Sequence, residues 1–584
     1  MTNNQSTTEN HAKWLVLLFS LFLSFTLSLF AEGHVGSSGV IVQKQVGKYQ
    51  LLVSIKPPDV VPGTAKISVF VEQGRVSSVD ARPVFFRSGD KGAPMHDELV
   101  RSGTGSFEGE LWLMDAGSSS IELTINGPDG RQRVVVPVMS VATALRTMPE
   151  GTGIGLALMG LLLVVMMITI VGASNADGLV KPGQAAPASL GRRRLVGMAA
   201  GGVVLALLLT GWRFWWNSSA EQYRTEQLYR PLRISASVSS KALPDAPTQQ
   251  QLTIRIDTTG FGGGAATSRR RRSAPQQRRL ISFVIPDHGK LMHTFLVRLP
   301  GLDAFAHLHP NRRDTLTYEA ALPPLPAGRY LLYSDIVFRS GFAETMTDTV
   351  NISSPKTSSD KSVAQLSDRR VTDHDDSWLT TNPMGAKASA ENVPHLDIDM
   401  VVCGKPGAST KLADGSSMLW MDKPGAVLES GKLYNLKFAV ADSLGKPTAL
   451  EPYLGMGGHA VILRSDGTVY IHLHPVGTYS MAAESSFVGR LADTARTFQY
   501  PDANRFRDSI DQYVARLRTL PEVEKNRLLA AAMPGMSHKM AANNMVEFPY
   551  AFPRAGQYRI WVQVKRNGRV LTGVFDAQVN DPLL

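Results

Sequence analysis

The tetrapeptide HLHP occurs twice in the chain, at 307–310 and at 472–475, although the whole sequence of 584 residues contains only 13 histidines. Side chains two apart on an extended strand lie on the same face, so each copy presents two imidazoles side by side. Imidazole nitrogen is a ligand for zinc, copper, nickel and iron. The repeat therefore predicts metal chemistry. The alternative interpretation is a duplicated strand whose histidines lie on a solvated face.

A third histidine is predicted to lie across a hairpin from the second HLHP copy. The dipeptide Asp466-Gly467 favours a two-residue turn, which places His459 opposite His474. His472 shares that face, and opposed Cβ atoms of antiparallel strands lie about 4.5–5.5 Å apart. The three imidazoles are therefore expected to lie within reach of one ion.

The first HLHP copy has the same arrangement with a spacing that is one residue longer. A Pro-Gly-Leu loop at 300–302 absorbs the extra residue, with Gly301 available for the left-handed position of the turn. His293 then lies opposite His309 and shares a face with His307. Two different turns preserve one arrangement, so the sequence predicts six histidine metal ligands: His293, His307, His309, His459, His472 and His474.

A methionine-rich segment at 531–545 adds soft ligands after the second hairpin. Thioether sulfur favours Cu(I) over Zn(II). Methionine also fills gaps in helical cores, but Pro534-Gly535 interrupts any continuous helical stripe here. The segment predicts copper as the bound ion, with zinc as the alternative, and the predicted ligands are Met533, Met536, His538 and Met540.

Three apolar runs are long enough to enter a bilayer. The first, Trp14–Phe30, predicts either a signal peptide cleaved after Gly33, which would free His34 as an N-terminal copper ligand, or an uncleaved anchor. The other two, Ile154–Val171 and Leu195–Trp212, predict a transmembrane hairpin. The basic residues of the short loop between them predict that this loop is cytoplasmic, so both large polar portions lie outside the cytoplasm.

The net charge of +11 does not predict nucleic-acid binding. Much of the positive charge lies in Arg269–Arg272, within a glycine-rich stretch typical of a surface insertion, and in Arg192–Arg194, beside an apolar run. The sequence contains no phosphate-binding loop, dinucleotide fingerprint or nucleophile elbow. We therefore predict that the protein is not an enzyme. A histidine triad with an open position that activates water or oxygen is the enzymatic alternative.

Short alternating or apolar segments separated by Gly, Pro and Asp predict a mainly β fold. We expect three immunoglobulin- or cupredoxin-like β-sandwiches and two to three transmembrane helices. The segments "MHTFLVRLPGLDAFAHLHP" and "GHAVILRSDGTVYIHLHP" indicate that the second and third sandwiches are copies. The predicted boundaries are 1–33 for the signal or anchor, 34–150 for the first sandwich, 151–216 for the transmembrane hairpin, 217–354 for the second sandwich, 355–394 for a linker, and 395–584 for the third sandwich with a helical insertion at 482–545.

These segments, together with "HVGSSGVIVQKQVGKYQLLVSIKPPDVVPG" and "FPRAGQYRIWVQVKRNGRVLTGVF", resemble those of an uncharacterised bacterial membrane-protein family. Its extracytoplasmic modules are similar to YtkA-like domains, which are small immunoglobulin-like sandwiches associated with copper or cytochrome oxidase maturation. The resemblance covers most of the chain outside 355–390 and 482–530. It implies an envelope location and a connection with copper.

The sequence thus predicts a metal-binding protein anchored in the inner membrane, with its large domains facing the periplasm or cell exterior. Copper buffering, delivery or resistance is the expected role, and the expected partners are the membrane and another copper-handling envelope protein. The alternative is a non-catalytic interaction scaffold of the cell envelope in which the histidines are structural.

Overall fold

The computed structural model describes residues 39–145, 148–177, 180, 181, 183, 184, 187, 189–226, 228–243, 246–257, 281–353, 373–385, 408–421, 428–495, 497–531 and 544–582. The signal or anchor segment, His34 and the arginine-rich insertion lie outside these residues. The described residues form three β-sandwiches and two long apolar helices, so the prediction of a mainly β fold is confirmed.

The first sandwich consists of two antiparallel sheets, with strand orders β1-β2-β3-β7-β6 and β5-β4-β8-β9. Strand β2 alternates buried apolar and half-buried residues along its length, as expected for a strand with one face on a core. A 3₁₀ turn at Asp90–Gly92 follows β4. The strands are β1 (Val40–Val46), β2 (Tyr49–Lys56), β3 (Gly63–Gln73), β4 (Ser78–Phe85), β5 (Asp97–Glu98), β6 (Val100–Gly103), β7 (Ser106–Leu113), β8 (Gly117–Asn126) and β9 (Gln132–Ser140).

Helices α1 (Glu150–Asp177) and α2 (Ser189–Glu226) follow the first sandwich and pack against each other. At 1.5 Å per residue, α1 is about 40 Å long, which exceeds the ~30 Å of a bilayer's hydrocarbon core. Large apolar side chains such as Leu161, Leu207 and Trp212 are exposed on both helices. Exposed apolar surface of this extent is unfavourable in water, so the two helices indicate a membrane-anchored protein.

The two ends of this helical hairpin lie together. Ala142, before α1, forms a parallel bridge with Leu228, after α2, and the Tyr229 N–H donates to the Ala142 carbonyl at 2.8 Å. Farther along, the Glu344 carboxylate accepts hydrogen bonds from the Leu232 N–H (2.5 Å) and the Tyr229 hydroxyl (3.3 Å). These contacts place the first and second sandwiches on the same side of the hairpin.

The second sandwich pairs a sheet of order β10-β11-β16-β15 with a sheet of order β12-β17-β13-β14-β19, in which β18 also pairs with β17. The apolar faces of the two sheets enclose one core. The strands are β10 (Arg233–Leu243), β11 (Ala246–Asp257), β12 (Val284–Ile285), β13 (His293–Arg298), β14 (Ala304–Leu308), β15 (Asn311–Arg312), β16 (Thr317–Ala321), β17 (Gly328–Phe338), β18 (Ala343–Ile352) and β19 (Ser377–Thr380).

Strand β19 corrects the interpretation of 355–394 as a linker. Its residues pair antiparallel with β14 from Ala304↔Thr380 to His307↔Ser377. The polar composition of the interval concealed this strand, because an edge strand needs few large apolar residues of its own. The described part of the interval therefore extends the sheet that carries the first HLHP copy.

The third sandwich pairs a sheet of order β20-β21-β23-β26 with a sheet of order β22-β28-β27-β24-β25. The predicted helical insertion is found between β25 and β26, where it forms α3 (Met481–Ala492), α4 (Ala503–Thr519) and α5 (Glu522–Ala531). The strands are β20 (Ser409–Lys411), β21 (Ser417–Trp420), β22 (Leu428–Glu429), β23 (Leu433–Ala441), β24 (His459–Arg464), β25 (Tyr470–Leu473), β26 (Met545–Ala551), β27 (Gly556–Arg566) and β28 (Arg569–Asn580).

The second and third sandwiches pack against each other through equivalent sheets. Phe305 of β14 stacks on Trp561 of β27, with ring centroids 5.0 Å apart and planes inclined by 13°. Tyr470 of β25 stacks on Tyr333 of β17 at 4.1 Å and 4°. Phe305 and Tyr470 occupy the same position before HLHP, so the two contacts are reciprocal. The modules are therefore related by an approximate two-fold axis, as in an isologous dimer.

A separate apolar core fills the contact between the two modules. Its members point away from the core of their own sandwich because side chains alternate along a strand. They are Phe295, Val297, Leu302, Phe305 and Tyr333 from the second sandwich, and Val461, Leu463, Tyr470 and Trp561 from the third.

Removal of the Trp561 ring is expected to open this contact. We predict that Trp561→Ala lowers the free energy of unfolding by about 3–5 kcal/mol, because a large buried ring is lost and a cavity remains. Urea unfolding of the full chain in detergent, followed by far-ultraviolet circular dichroism, measures the change. Trp561→Phe is the control: it retains an aromatic ring, and the indole N–H has no hydrogen-bond partner among the described residues. Equal losses in the two variants would contradict the stacking argument.

Candidate metal centre

The two histidine hairpins have the predicted register. Phe295 lies opposite His307, and Val461 lies opposite His472. One detail of the first turn differs from the prediction: the left-handed residue is Leu302, with φ of 50°, and not Gly301. The buried Leu302 side chain packs in the core between the modules, which offers a physical reason for a bulky residue in this conformation.

The predicted histidines all face the contact between the two modules. His293, His307, His309, His459 and His474 are buried, and the side chain of His472 is 7% exposed. The rings of His293 and His472, from different modules, have centroids 5.3 Å apart. The two predicted triads are thus brought into one cluster, an arrangement that the sequence alone did not reveal.

A seventh histidine, His288, joins the cluster and was missed in the sequence. Asp287 and Lys290 exchange two backbone hydrogen bonds of 2.9 Å across a tight turn. His288 and Gly289 occupy its centre with φ of 50° and 80°, as in a type I′ turn. The dipeptide His-Gly in "PDHGKLMH", five residues before His293, was the available signal.

The equivalent turn of the third sandwich has no histidine. Tyr453 and Met456 exchange the same pair of backbone hydrogen bonds, and Leu454 has a φ of 52° at the position equivalent to His288. Leu454 lies five residues before His459, as His288 does before His293. The cluster therefore departs from two-fold symmetry at this position.

His293, His307 and His309 form the first triad, whose potential ligand nitrogens lie within 4.8 Å of one another. Each ring has an oxygen acceptor on its outer side. His293 Nε2 lies 3.2 Å from the Asp287 carbonyl, His307 Nδ1 lies 2.8 Å from Gln563 Oε1, and His309 Nδ1 lies 2.8 Å from an oxygen of Asp376. These acceptors assign a proton to each outer nitrogen and leave a lone pair on each inner nitrogen.

The inner nitrogens of the first triad face one another without a donor. His293 Nδ1 and His307 Nε2 are 3.2 Å apart, and His309 Nε2 has no partner within the described part of the chain. Lone pairs at this separation repel unless a cation or a proton lies between them. The carboxylate and amide behind the rings correspond to the acceptors that orient histidine ligands in metal sites.

The second triad is His288, His459 and His474, and it combines residues of both modules. His474 Nδ1 lies 3.0 Å from the Tyr479 carbonyl, so its Nε2 carries a lone pair, and that atom is 3.2 Å from His288 Nε2. Neither ring nitrogen of His459 has a partner among the described residues. The predicted third member, His472, is replaced in this triad by His288.

His472 lies beside both triads. Its ring centroid is 4.6 Å from that of His474 and 5.2 Å from that of His459. Its Nδ1 is 3.5 Å from Asp335 Oδ2, whereas its buried Nε2 has no partner in the described ranges. Asp335 and Gln563 are equivalent, because they lie opposite His293 and His459 respectively. Each therefore contacts a histidine of the other module.

Burial favours the uncharged form of five rings in the cluster. Loss of solvent lowers the pKa of His288 to about 3, with smaller effects from neighbouring charges. The same cause, assisted by neighbouring imidazoles, holds the pKa values of four further rings well below the ordinary value; they belong to His293, His307, His459 and His472. Neutral imidazole is the form that binds metal ions.

A buried ionic network lies beside His309. Burial alone would raise the pKa of Asp375, but the ammonium groups of Lys290 (3.0 Å) and Lys525 (3.2 Å) hold it well below its ordinary value. The Tyr453 hydroxyl donates to the Asp375 carbonyl at 2.8 Å. These contacts tie the 373–385 segment to both modules, and that segment supplies the Asp376 acceptor.

The methionine-rich segment contains the remaining predicted ligands. Met533, Met536, His538 and Met540 lie outside the described residues. Met292 and Met456 are buried apolar residues of core clusters.

Comparison with known proteins gives one family match. The sequence model of a "Domain of unknown function (DUF8832)" matches residues 411–499, which include the second histidine hairpin. No curated protein matches the chain.

Matches among solved structures include a tetra-tandem repeat from the extending region of a large adhesion protein, at 7% identity and a TM-score of 0.14, covering 94% of this chain and 93% of that chain. They also include a 1.5-MDa bacterial ice-binding adhesin, at 6% identity and a TM-score of 0.12, covering 89% and 92%. The α-2-macroglobulin of E. coli matches at 8% identity and a TM-score of 0.16, covering 94% and 24%. TM-scores this low place no constraint on function.

The low pKa values predict that acid destabilises the metal-free protein. Below pH ~6.5 these histidines bind protons in the unfolded chain but not in the folded protein. The free energy of unfolding therefore falls as pH falls, by about 1.4 kcal/mol per pH unit for each such histidine. Buried carboxyls oppose this trend, since burial raises the pKa of Asp335 to about 6 and that of Glu344 to about 7.

The contribution of one histidine can be isolated with His459→Leu. Urea unfolding of the chelator-treated full chain in detergent, between pH ~7.5 and ~5.5, measures the free energy of unfolding. This free energy should depend less steeply on pH in the variant, by up to about 1.4 kcal/mol per pH unit, which corresponds to one proton. His374→Leu, which replaces an exposed histidine, is the matched control. A slope unchanged by His459→Leu would contradict the assignment of this ring as buried and neutral.

Proposed function

We propose that the protein is a membrane-anchored metal-binding protein and that the ion is held by the histidine cluster between the second and third sandwiches. The observation that carries the proposal is the convergence of unprotonated imidazole nitrogens in the first triad. Hydrogen bonds from the outer nitrogens fix the lone pairs of His293 and His307 toward each other at 3.2 Å. A bound cation replaces this repulsion with coordination.

The cost of the cluster without an ion supports the same proposal. Buried nitrogens without a partner among the described residues occur on His288, His309, His459 and His472. Each such polar atom costs about 1–3 kcal/mol when it is buried unpaired. Purely structural histidines would be expected to have partners, whereas an ion held by a triad would use the lone pair of His309 or of His459.

Copper is the ion that we propose. Among divalent first-row metals, copper binds most tightly to a given nitrogen site. The methionine-rich segment of the sequence adds thioethers, which favour Cu(I). Zinc is the alternative ion, because three imidazoles also suit its tetrahedral geometry.

We propose that the site buffers, delivers or confers resistance to copper and does not catalyse a reaction. Burial of the histidines between the modules supports a non-catalytic role, because a substrate would need access to the open position that a catalytic metal site keeps. The basic residues at the turn of the helical hairpin, Lys181 and Arg192–Arg194 in the first turns of α2, support an extracytoplasmic location for the sandwiches. The proposed location is the inner membrane, with a copper-handling envelope protein as partner.

Loss of the HLHP histidines is expected to abolish metal retention. The full chain in detergent is loaded with copper(II) sulfate, dialysed, and analysed for metal content. We expect at least one copper per chain to remain, and less than about one tenth of that amount after all four HLHP histidines are changed to Gln, because each triad then loses ligands. Zinc loading under the same conditions measures the preference between the two ions.

His374→Gln is the matched control, because His374 is exposed and lies outside both triads. It should retain copper like the unmodified chain, and circular dichroism of each variant monitors folding. Negligible copper and zinc in the unmodified chain would overturn the proposal and would favour the alternative, an envelope interaction scaffold with structural histidines.

A further inference from the structure

We propose that the cluster holds two ions side by side, one in each triad. The ligands of the first ion are His293, His307 and His309, and those of the second ion are His288, His459 and His474. The inference rests on the proposed function and deepens it by assigning the number of ions and the residues that hold each one.

The first ion would be bound within one module. All three of its ligands come from the hairpin of β13 and β14 and the residue that follows it. Behind His307, the third sandwich contributes the Gln563 side chain, 2.8 Å from His307 Nδ1, and the Tyr453 hydroxyl, 3.4 Å from the same nitrogen. This triad therefore contains its complete ligand set on one side of the contact.

The second ion would join the two modules. His459 and His474 belong to the third sandwich, whereas His288 reaches them from the tight turn of the second, with its Nε2 3.2 Å from His474 Nε2. Leu517 and Leu529 of the helical insertion pack over the same turn. Their side chains lie 3.1–3.3 Å from the position that a Cβ atom on Gly289 would occupy. The position of His288 therefore depends on the docked arrangement.

The two triads are too close to be independent and too extended to share one ion. Ring centroids across the triads are 6.3 Å apart for His288 and His293, 6.5 Å for His293 and His459, and 6.1 Å for His307 and His459. Rings on opposite sides of one ion would have centroids about 6.4 Å apart, because metal–imidazole nitrogen bonds are about 2.0–2.1 Å long. Each ring has only one opposite position, whereas His293 lies this far from both His288 and His459, so one ion cannot coordinate all six rings. His472, beside both triads, offers its unpartnered Nε2 to either ion.

Copper(II) sulfate titrated into the chelator-treated full chain in detergent tests this inference. Native mass spectrometry should count two copper ions per chain, and electron paramagnetic resonance should show the broadening and half-field signal of two neighbouring Cu(II) spins. His288→Leu should bind one ion and give an isolated Cu(II) spectrum, as should His309→Leu. Leucine at 288 reproduces the residue that the third sandwich has in the equivalent left-handed position, Leu454.

The outcomes separate the inference from the proposed function. No copper in the unmodified chain would overturn both. One copper per chain, lost in each variant, would leave the proposed function intact and overturn the two-ion assignment. Two ions without spin coupling would have the same consequence, and so would two ions retained in His288→Leu. The stoichiometry and spin coupling of the unmodified chain decide the question even if a variant fails to fold.

Discussion

Two equivalent sheets pack against each other, and this contact governs the arrangement of the second and third sandwiches and of the histidines between them. The reciprocal stacks of Phe305 on Trp561 and of Tyr470 on Tyr333 hold the faces together. Aromatic pairs of this kind contribute about 0.5–1.5 kcal/mol beyond their burial. Because the histidines follow these aromatic residues along the same strands, the apolar contact also removes the imidazoles from water and brings the two sets together.

The approximate two-fold axis explains both the regularity of the site and its asymmetry. Asp335 and Gln563 occupy equivalent positions, and each contacts the first HLHP histidine of the other module. Differences between the copies then distinguish the two halves. Asp335 supplies a carboxylate where Gln563 supplies an amide. In the tight turns, His288 of the second sandwich is matched by Leu454 of the third.

The surrounding elements hold this contact in place relative to the apolar helices. The bridge between Ala142 and Leu228 closes the base of the helical hairpin. The first sandwich also contacts the third, where the Gln43 N–H donates to the Val476 carbonyl at 2.9 Å and Lys44 pairs with Glu484 in a buried ion pair. The three sandwiches thus contact one another on one side of the apolar helices.

Local patterns in the chain were sufficient to predict the mainly β fold, the apolar helices, the duplication and the hairpin registers, because strand alternation and turn chemistry act over a few neighbouring residues. They did not reveal that the two triads meet, that His288 replaces His472 in the second triad, or that 377–380 forms a strand. Those features depend on contacts between residues far apart in the chain. They emerge only when the modules dock, since docking depends on the shape and burial of whole sheet faces.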